Sequence, residues 1–318
     1  MTAAIAFDRV TRRYGDVHAV EDVSFAIEPG EMFGLIGPDG AGKTTSIRLA
    51  CGLLRADGGQ VRVLGRDPVT EHRAVTADIG YLSQRFSLYG DLSIDENMAF
   101  FAEIHGVRSY RASRERLLEM TQLAPFRARR ADRLSGGMKQ KLALACTLVH
   151  EPKILILDEP TTGVDPVSRR ELWKLLSEFL SRGLTIVMST PYLDEAERCA
   201  RVALLHEGRL LAVDRPEHLQ SRLDGQLLEV TAEAARPPIE PIASLPGVDS
   251  VQPFGDRIHV RIASGRQAPA TAAVIHAALV RMGVAGVNVR PIAASLEDVF
   301  IDLITGAKRA EAGSTHVE

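Results

Sequence analysis

The 318-residue chain carries 38 basic and 41 acidic side chains, a formal charge of -3, so it lacks the concentrated positive field that nucleic-acid binding demands, and no nucleic-acid partner is expected. Hydrophobic residues make up 45% and charged residues 25%, ordinary values for a globular protein in water, which exclude a disordered or fibrous chain. No apolar run approaches the roughly 18–20 residues of a bilayer span, and Met1 to Val10 lacks the apolar stretch of a signal peptide, so any membrane work is expected to borrow its span from a partner.

The first elements read as strands: Ile5 to Val10, then Val23 to Ile27 with period-two alternation, punctuated by Glu28-Pro29-Gly30. A β-rich edge subdomain is expected there. Met32-Phe33-Gly34-Leu35-Ile36 is a continuous apolar run that fits a buried parallel strand leading straight into glycine. From about residue 86 to 150 the pattern is mostly helical, and Ser93-Ile94-Asp95-Glu96 forms a capping box opening a helix from Ile94 to His105. This stretch is read as an inserted helical subdomain. Two further aliphatic runs, Ile154 to Leu157 and Thr185 to Met188, flank a helix over Glu171 to Leu180. That alternation predicts a parallel sheet covered by helices.

After Leu223 the character changes, and a second domain is expected from Asp224 to about residue 305. A strand at Leu227 to Thr231 precedes a Pro-rich segment, Arg257 to Ile262 alternates, Thr271 to Met282 reads as helix, and Ser295-Leu296-Glu297-Asp298 caps a last helix through Leu303. This is a small α+β module; residues 306–318 are polar and small, and are expected to be a disordered tail. The three cysteines, Cys51, Cys146 and Cys199, have no CxxC spacing and read as reduced core thiols rather than a disulfide framework or zinc site.

Gly37-Pro38-Asp39-Gly40-Ala41-Gly42-Lys43-Thr44 matches GxxxxGK[ST] between a buried strand and a helix, the context that motif requires. Its glycines let consecutive N–H groups close around phosphate, the helix start adds its positive dipole end, Lys43 reaches the β and γ phosphates, and Thr44 can ligate Mg2+. Thr45 stands next on the same helix start and completes the candidate nucleotide-binding stretch. Leu157-Asp158-Glu159-Pro160 ends the second aliphatic strand, so Asp158 emerges at the carboxyl end of the sheet to orient the metal. Glu159, one residue further, is the general-base candidate that polarises the attacking water. The fold class is therefore α/β, a P-loop NTPase with a parallel sheet core, a β-rich edge subdomain and an inserted helical subdomain.

Leu134-Ser135-Gly136-Gly137-Met138 lies between those two motifs and opens a helix with an apolar stripe at Met138, Leu142, Ala145 and Val149, offering another helix N-terminus to an anion. Here the chain resembles the ATP-binding cassette family, whose signature is LSGGQ. The resemblance covers roughly residues 4 to 220 and extends more loosely, through Leu296-Glu297-Asp298-Val299-Phe300, to the C-terminal module of exporter-type ATPases. It implies that Tyr14 stacks on adenine, that Gln84 touches Mg2+ and answers to the membrane partner, and that Gly163-Val164-Asp165 crosses a dimer interface. It also implies that ATP is held between the phosphate loop of one cassette and Ser135, Gly136 and Gly137 of a second, identical or different.

The partners so implied are that second cassette and integral membrane permease subunits, with the chain peripheral on the cytoplasmic side of the cell membrane. Phe86, Leu88 and Tyr89, beside Gln84, are where a permease helix would dock, or else subdomain core. Three residues depart from the family pattern. Asp39 replaces the usual asparagine, Met138 replaces glutamine, and Pro191 stands where histidine usually contacts the γ-phosphate; proline has neither side-chain donor nor N–H. Two rival readings remain at this level: a soluble cassette ATPase acting on DNA, ribosomes or cofactor assembly, and a regulatory ATP-binding module. The short spacing between phosphate loop and signature leaves no room for the coiled coil of the DNA-repair members.

Overall fold

The computed structural model describes residues 2–84, 88–233 and 236–314, the last stretch as backbone only beyond residue 307. The chain divides into two compact units, Met1–Arg215 and Pro216–Glu318. In the first, the elements run β1 (Ile5–Tyr14), β2 (Val17–Ile27), β3 (Met32–Ile36), α1 (Lys43–Ala50), β4 (Gly58–Val63), α2 (His72–Asp78), β5 (Ile79–Leu82), α3 (Ile94–Ile104), α4 (Arg111–Met120), α5 (Gly136–Leu148), β6 (Ile154–Asp158), α6 (Pro166–Ser181), β7 (Thr185–Thr190), α7 (Leu193–Ala196), β8 (Arg201–His206) and β9 (Arg209–Asp214).

Six strands form the main sheet in the order β5-β6-β7-β3-β8-β9, parallel except for the antiparallel β9. β3 and β6, between neighbours on both sides, are buried along their whole length, which is why they read as unbroken aliphatic runs. Each fully buried side chain of this kind contributes about 1.5–3 kcal/mol. A separate antiparallel sheet, β2-β1-β4, is the expected β-rich edge. Phe7, Phe25 and Phe33 stack with ring centroids 4.6 and 5.5 Å apart and join this sheet to β3.

The helical insertion is built from α3, α4 and the start of α5. Ser93 caps α3 as its sequence requires: its Oγ accepts from the Glu96 N–H at 3.2 Å, while the Glu96 carboxylate accepts from the Ser93 N–H at 2.7 Å. Helix α6 starts five residues before the expected Glu171, because Asp165 caps it by accepting from Val167 and Ser168 N–H and Pro166 occupies the first helical turn.

The second unit comprises α8 (Pro216–Ser221), β10 (Leu227–Thr231), α9 (Ile239–Ala243), β11 (Val248–Phe254), β12 (Arg257–Ile262), α10 (Ala268–Arg281), β13 (Asn288–Pro291) and α11 (Leu296–Ser314). Its antiparallel sheet, ordered β11-β12-β10-β13, with the β-α-β-β-α-β succession makes it a ferredoxin-like split βαβ module. Leu228, Val230, Ile258, Val260, Ile275 and Leu279 form its apolar core. Glu229 and His259 point the other way, where Asp298 Oδ1 of α11 accepts from His259 Nδ1 at 2.7 Å.

Two sequence expectations shift here. The unit begins at Pro216 rather than Asp224, because α8 packs on α11 and buries Leu219 fully. The tail expected from residue 306 instead continues α11 as far as Ser314; Ala307-Lys308-Arg309-Ala310-Glu311-Ala312 consists of strong helix formers, which carry the helix past Gly306.

Candidate functional site

The carboxyl ends of β3, β6 and β7 lie in register, with Ser189 of β7 paired to Leu35 on one side and Asp158 on the other. The phosphate loop leaves β3 at Ile36 and enters α1 at Lys43. Two of its glycines are sterically required. A side chain at Gly37 would meet the Leu205 carbonyl oxygen at 2.3 Å, and one at Gly42, where φ is +99°, would meet that of Ala19 at 2.4 Å.

Lys43 is 4% exposed. Its Nζ donates to the carbonyl oxygens of Gly37 at 2.8 Å and Pro38 at 3.1 Å, and pairs with Glu159 Oε1 at 3.2 Å. Thr44 Oγ1 donates to Asp158 Oδ1 at 3.1 Å, and Ser189 Oγ donates to the same oxygen at 2.6 Å. Burial, with the Asp158 charge beside it, pushes both the Cys51 thiol and the Tyr81 phenol up to about 12. Thr45 is half-buried on α1, while Asp39 and Gly40 are exposed at the tip of the loop.

Glu159 takes a left-handed backbone, φ +51°, a conformation that costs a side-chain-bearing residue about 1–2 kcal/mol. Its N–H donates to Ser189 Oγ at 3.0 Å. Its Oε2 accepts from Gln84 Nε2 at 3.0 Å and from Thr162 Oγ1 at 3.3 Å. Thus Lys43, Thr44, Gln84, Asp158 and Glu159, all singled out from sequence, converge. Gln84, Asp158, Glu159 and Thr162 line one cleft of about 500 Å3 together with Gln140, whose amide donates to the Pro160 carbonyl. Ser189 and Thr162 were not picked out from sequence. Only the register of β7 against β6 reveals the first, and only the turn after Glu159 the second.

Other expected residues lie apart from this cluster. Tyr14 ends β1, 45% exposed, with the Arg12 guanidinium 5.0 Å from its ring centre; it makes no polar contact with the phosphate loop among the described residues. Ser135 caps α5, its Oγ accepting from the Met138 N–H at 3.3 Å. Ser135 and Gly136 are exposed, and Gly137 lies so close to Ser168 that a side chain there would meet its Oγ at 2.3 Å. None of the three touches Lys43 or Thr44, so this chain does not bring its own signature onto its own phosphate loop. Pro191 directly follows Thr190 at the end of β7 and offers no donor. Phe86 lies outside the described residues; Leu88 lines the cleft, and Tyr89, 46% exposed, packs edge-on against Phe100 at 4.5 Å.

The sequence profile of the ABC transporter family matches residues 20–162. The chain is 40% identical to the probable multidrug ABC transporter ATP-binding protein YbhF of Escherichia coli (strain K12), over 97% of this chain and 53% of that protein, and so spans about half the length of that relative. It is 36% identical to the Nod factor export ATP-binding protein I of Paraburkholderia xenovorans (strain LB400), over 95% of this chain and 97% of the other. With the daunorubicin resistance ATP-binding protein DrrA3 of Streptomyces coeruleorubidus it shares 34% identity over 97% and 98% of the two chains. A solved ATP-binding subunit of an ABC transporter superposes with a TM-score of 0.63 at 30% identity, covering 70% of this chain and 93% of that one. With phosphate loop, strand-end carboxylates and signature helix in the order and places described, the chain belongs to the ABC transporter family, among its ATP-binding proteins.

Proposed function

We propose that this chain binds and hydrolyses ATP to energise an ABC-type membrane exporter. The observation that carries the reading is the convergence of Lys43, Thr44, Gln84, Asp158 and Glu159 at the carboxyl ends of three parallel strands. Lys43 faces the β and γ phosphates as the glycine loop closes its N–H groups around them. Glu159, held by Gln84 and Thr162, orients and deprotonates the attacking water; phosphoryl transfer asks the protein mainly for such positioning and charge stabilisation. Thr44, Asp158 and Gln84 offer only oxygen donors, which suits Mg2+. When bound, Mg2+ supplies charge neutralisation at the phosphate oxygens.

The export direction rests on the relatives, named for multidrug transport, Nod factor export and daunorubicin resistance. The exposed start of α5 supports a second cassette as partner, since its outward N–H groups suit an anion held by another subunit. Permease subunits are the other partner, for no helix among the described residues is long and apolar enough to cross a membrane. Pro191 makes the pair asymmetric: the site on this chain's phosphate loop turns over slowly, while Ser135 to Gly137 completes a faster site on a different cassette. Co-purification from detergent-solubilised membranes tests the assignment. A hydrophobic permease and a second cassette are expected; recovery with ribosomes or nucleic acid instead would overturn it.

A further inference from the structure

Glu195 lies on the short helix α7, is only 1% exposed, and has its polar partners in Thr161, Thr190 and Arg169 rather than in Lys43, Thr44 or Asp158. A buried carboxylate is costly unless donors surround it. Its Oε2 has two: Thr161 Oγ1 at 2.9 Å and Thr190 Oγ1 at 2.8 Å. Its Oε1 has no hydrogen bond, nor has the buried Nε of Arg169, and the two stand 3.7 Å apart. The Arg169 guanidinium lies over the Tyr192 ring, 5.1 Å from its centre, and the Tyr192 N–H donates to Thr190 Oγ1 at 3.0 Å.

Each partner belongs to a segment the nucleotide chemistry uses. Thr161 lies two residues beyond Glu159, on the turn that also carries Thr162. Thr190 adjoins Ser189, which holds both the Asp158 carboxylate and the Glu159 N–H. Arg169 lies in the first turn of α6, where its N–H donates to the carbonyl of the cap residue Asp165 at 2.9 Å. One carboxylate therefore ties the turn bearing the water-orienting residue to the end of β7, and faces α6 through an ion pair that is only half made.

We infer that Glu195 is a positioning residue for ATP hydrolysis, a clamp that sets Glu159 against the phosphate loop through Thr161 and Thr190. Its unmade contact with Arg169 lets the start of α6, and with it residues 163–165, bear on the same clamp. The inference rests on the ATPase reading above. Glu195 does not touch nucleotide, so its loss misplaces the attacking water without weakening the grip on phosphate. Misplacement of a reacting group by about 1 Å costs up to about 10²-fold in rate.

The test uses the purified full chain, with three quantities measured in parallel: ATP turnover, affinity for a fluorescent ATP analogue, and melting temperature. Glu195→Gln keeps the volume and one acceptor but removes the charge; it is expected to lower kcat about 10–100-fold with analogue affinity within about twofold of wild type. Thr161→Val is expected to lower kcat in the same way, and it decides the matter should Glu195→Gln fail to fold. The double variant Glu195→Gln/Arg169→Gln is expected to fall no further than Glu195→Gln, because the two residues act through one contact. Unchanged kcat in the folded variants, or losses of turnover that merely track melting temperature and nucleotide affinity, would overturn the clamp. A wild-type chain that binds the analogue but never turns ATP over, even with a partner cassette present, would instead strike down the ATPase reading, and the clamp with it.

Discussion

Glu159→Gln separates binding from chemistry at this site. Lys43 and Glu159 stand 3.2 Å apart, 4% and 9% exposed at their side chains, so any triphosphate that engages Lys43 competes with a carboxylate already there. At that distance, in an effective dielectric of about 20, the attraction is about 5 kcal/mol. Desolvation of the two ions offsets most of it, and a remainder of about 1.4 kcal/mol corresponds to a tenfold change in affinity. The amide keeps the shape and the contacts of Gln84 and Thr162 within reach, but it neither pairs with the ammonium nor repels phosphate. Nucleotide is therefore expected to bind about tenfold more tightly, while hydrolysis slows by about 10²–10⁴-fold through loss of the general base. Titration of a fluorescent ATP analogue reads the first effect and single-turnover phosphate release the second. If affinity fell instead, the pair would be organising the loop for phosphate rather than competing with it; if hydrolysis persisted, Glu159 would not be the base.

Two further substitutions probe the proposed asymmetric pair. Ser135→Arg places a long cation at the exposed start of α5 and is expected to abolish turnover at the partner cassette's site while leaving analogue binding to this chain's own loop unchanged; equal loss at both sites in a mixed-subunit assay would contradict that division. Pro191→His restores a polar contact whose kind is worth about 10²–10³-fold in turnover, so phosphate release from this chain's own site should rise by that order, and no rise would place the limiting defect elsewhere.

Local signals in the sequence were enough to find most of the cluster. The phosphate loop was legible because its strand, its glycines and its helix are contiguous, and the acids after β6 because a buried strand ends where its first charged residues begin. The capping box at Ser93 formed with both of its hydrogen bonds for the same reason: all its atoms lie within one turn. Ser189 stayed hidden because its part depends on the register that sets β7 beside β6, a pairing no short window contains. Glu195 reads in sequence as one acid among several in Asp194-Glu195-Ala196-Glu197, and only the fold buries it while leaving Asp194 and Glu197 exposed. The domain boundary slipped to Pro216 because the strand at Leu227 gives a strong signal and the short α8 a weak one.

The placement of α5 is what the proposed second cassette rests on. Gln140, in the second turn of α5, donates to the Pro160 carbonyl just past Glu159, so the helix starts at the catalytic end of the sheet. Going back from Gln140 to Ser135 at about 1.5 Å per residue carries the helix end several ångströms beyond that anchor. Gly137 is held against Ser168 there, which fixes the direction of the helix and leaves Ser135 and Gly136 facing outward. The first N–H groups of any helix lack intrahelical acceptors, and only the Met138 N–H is taken up by the Ser135 cap. The same rigid helix that steadies the turn after Glu159 thus turns its anion-binding end away from its own phosphate loop. In the proposed two-cassette arrangement an anion carried on one chain is capped by another, so a substitution at Ser135 is expected to act in trans and one at Glu195 in cis.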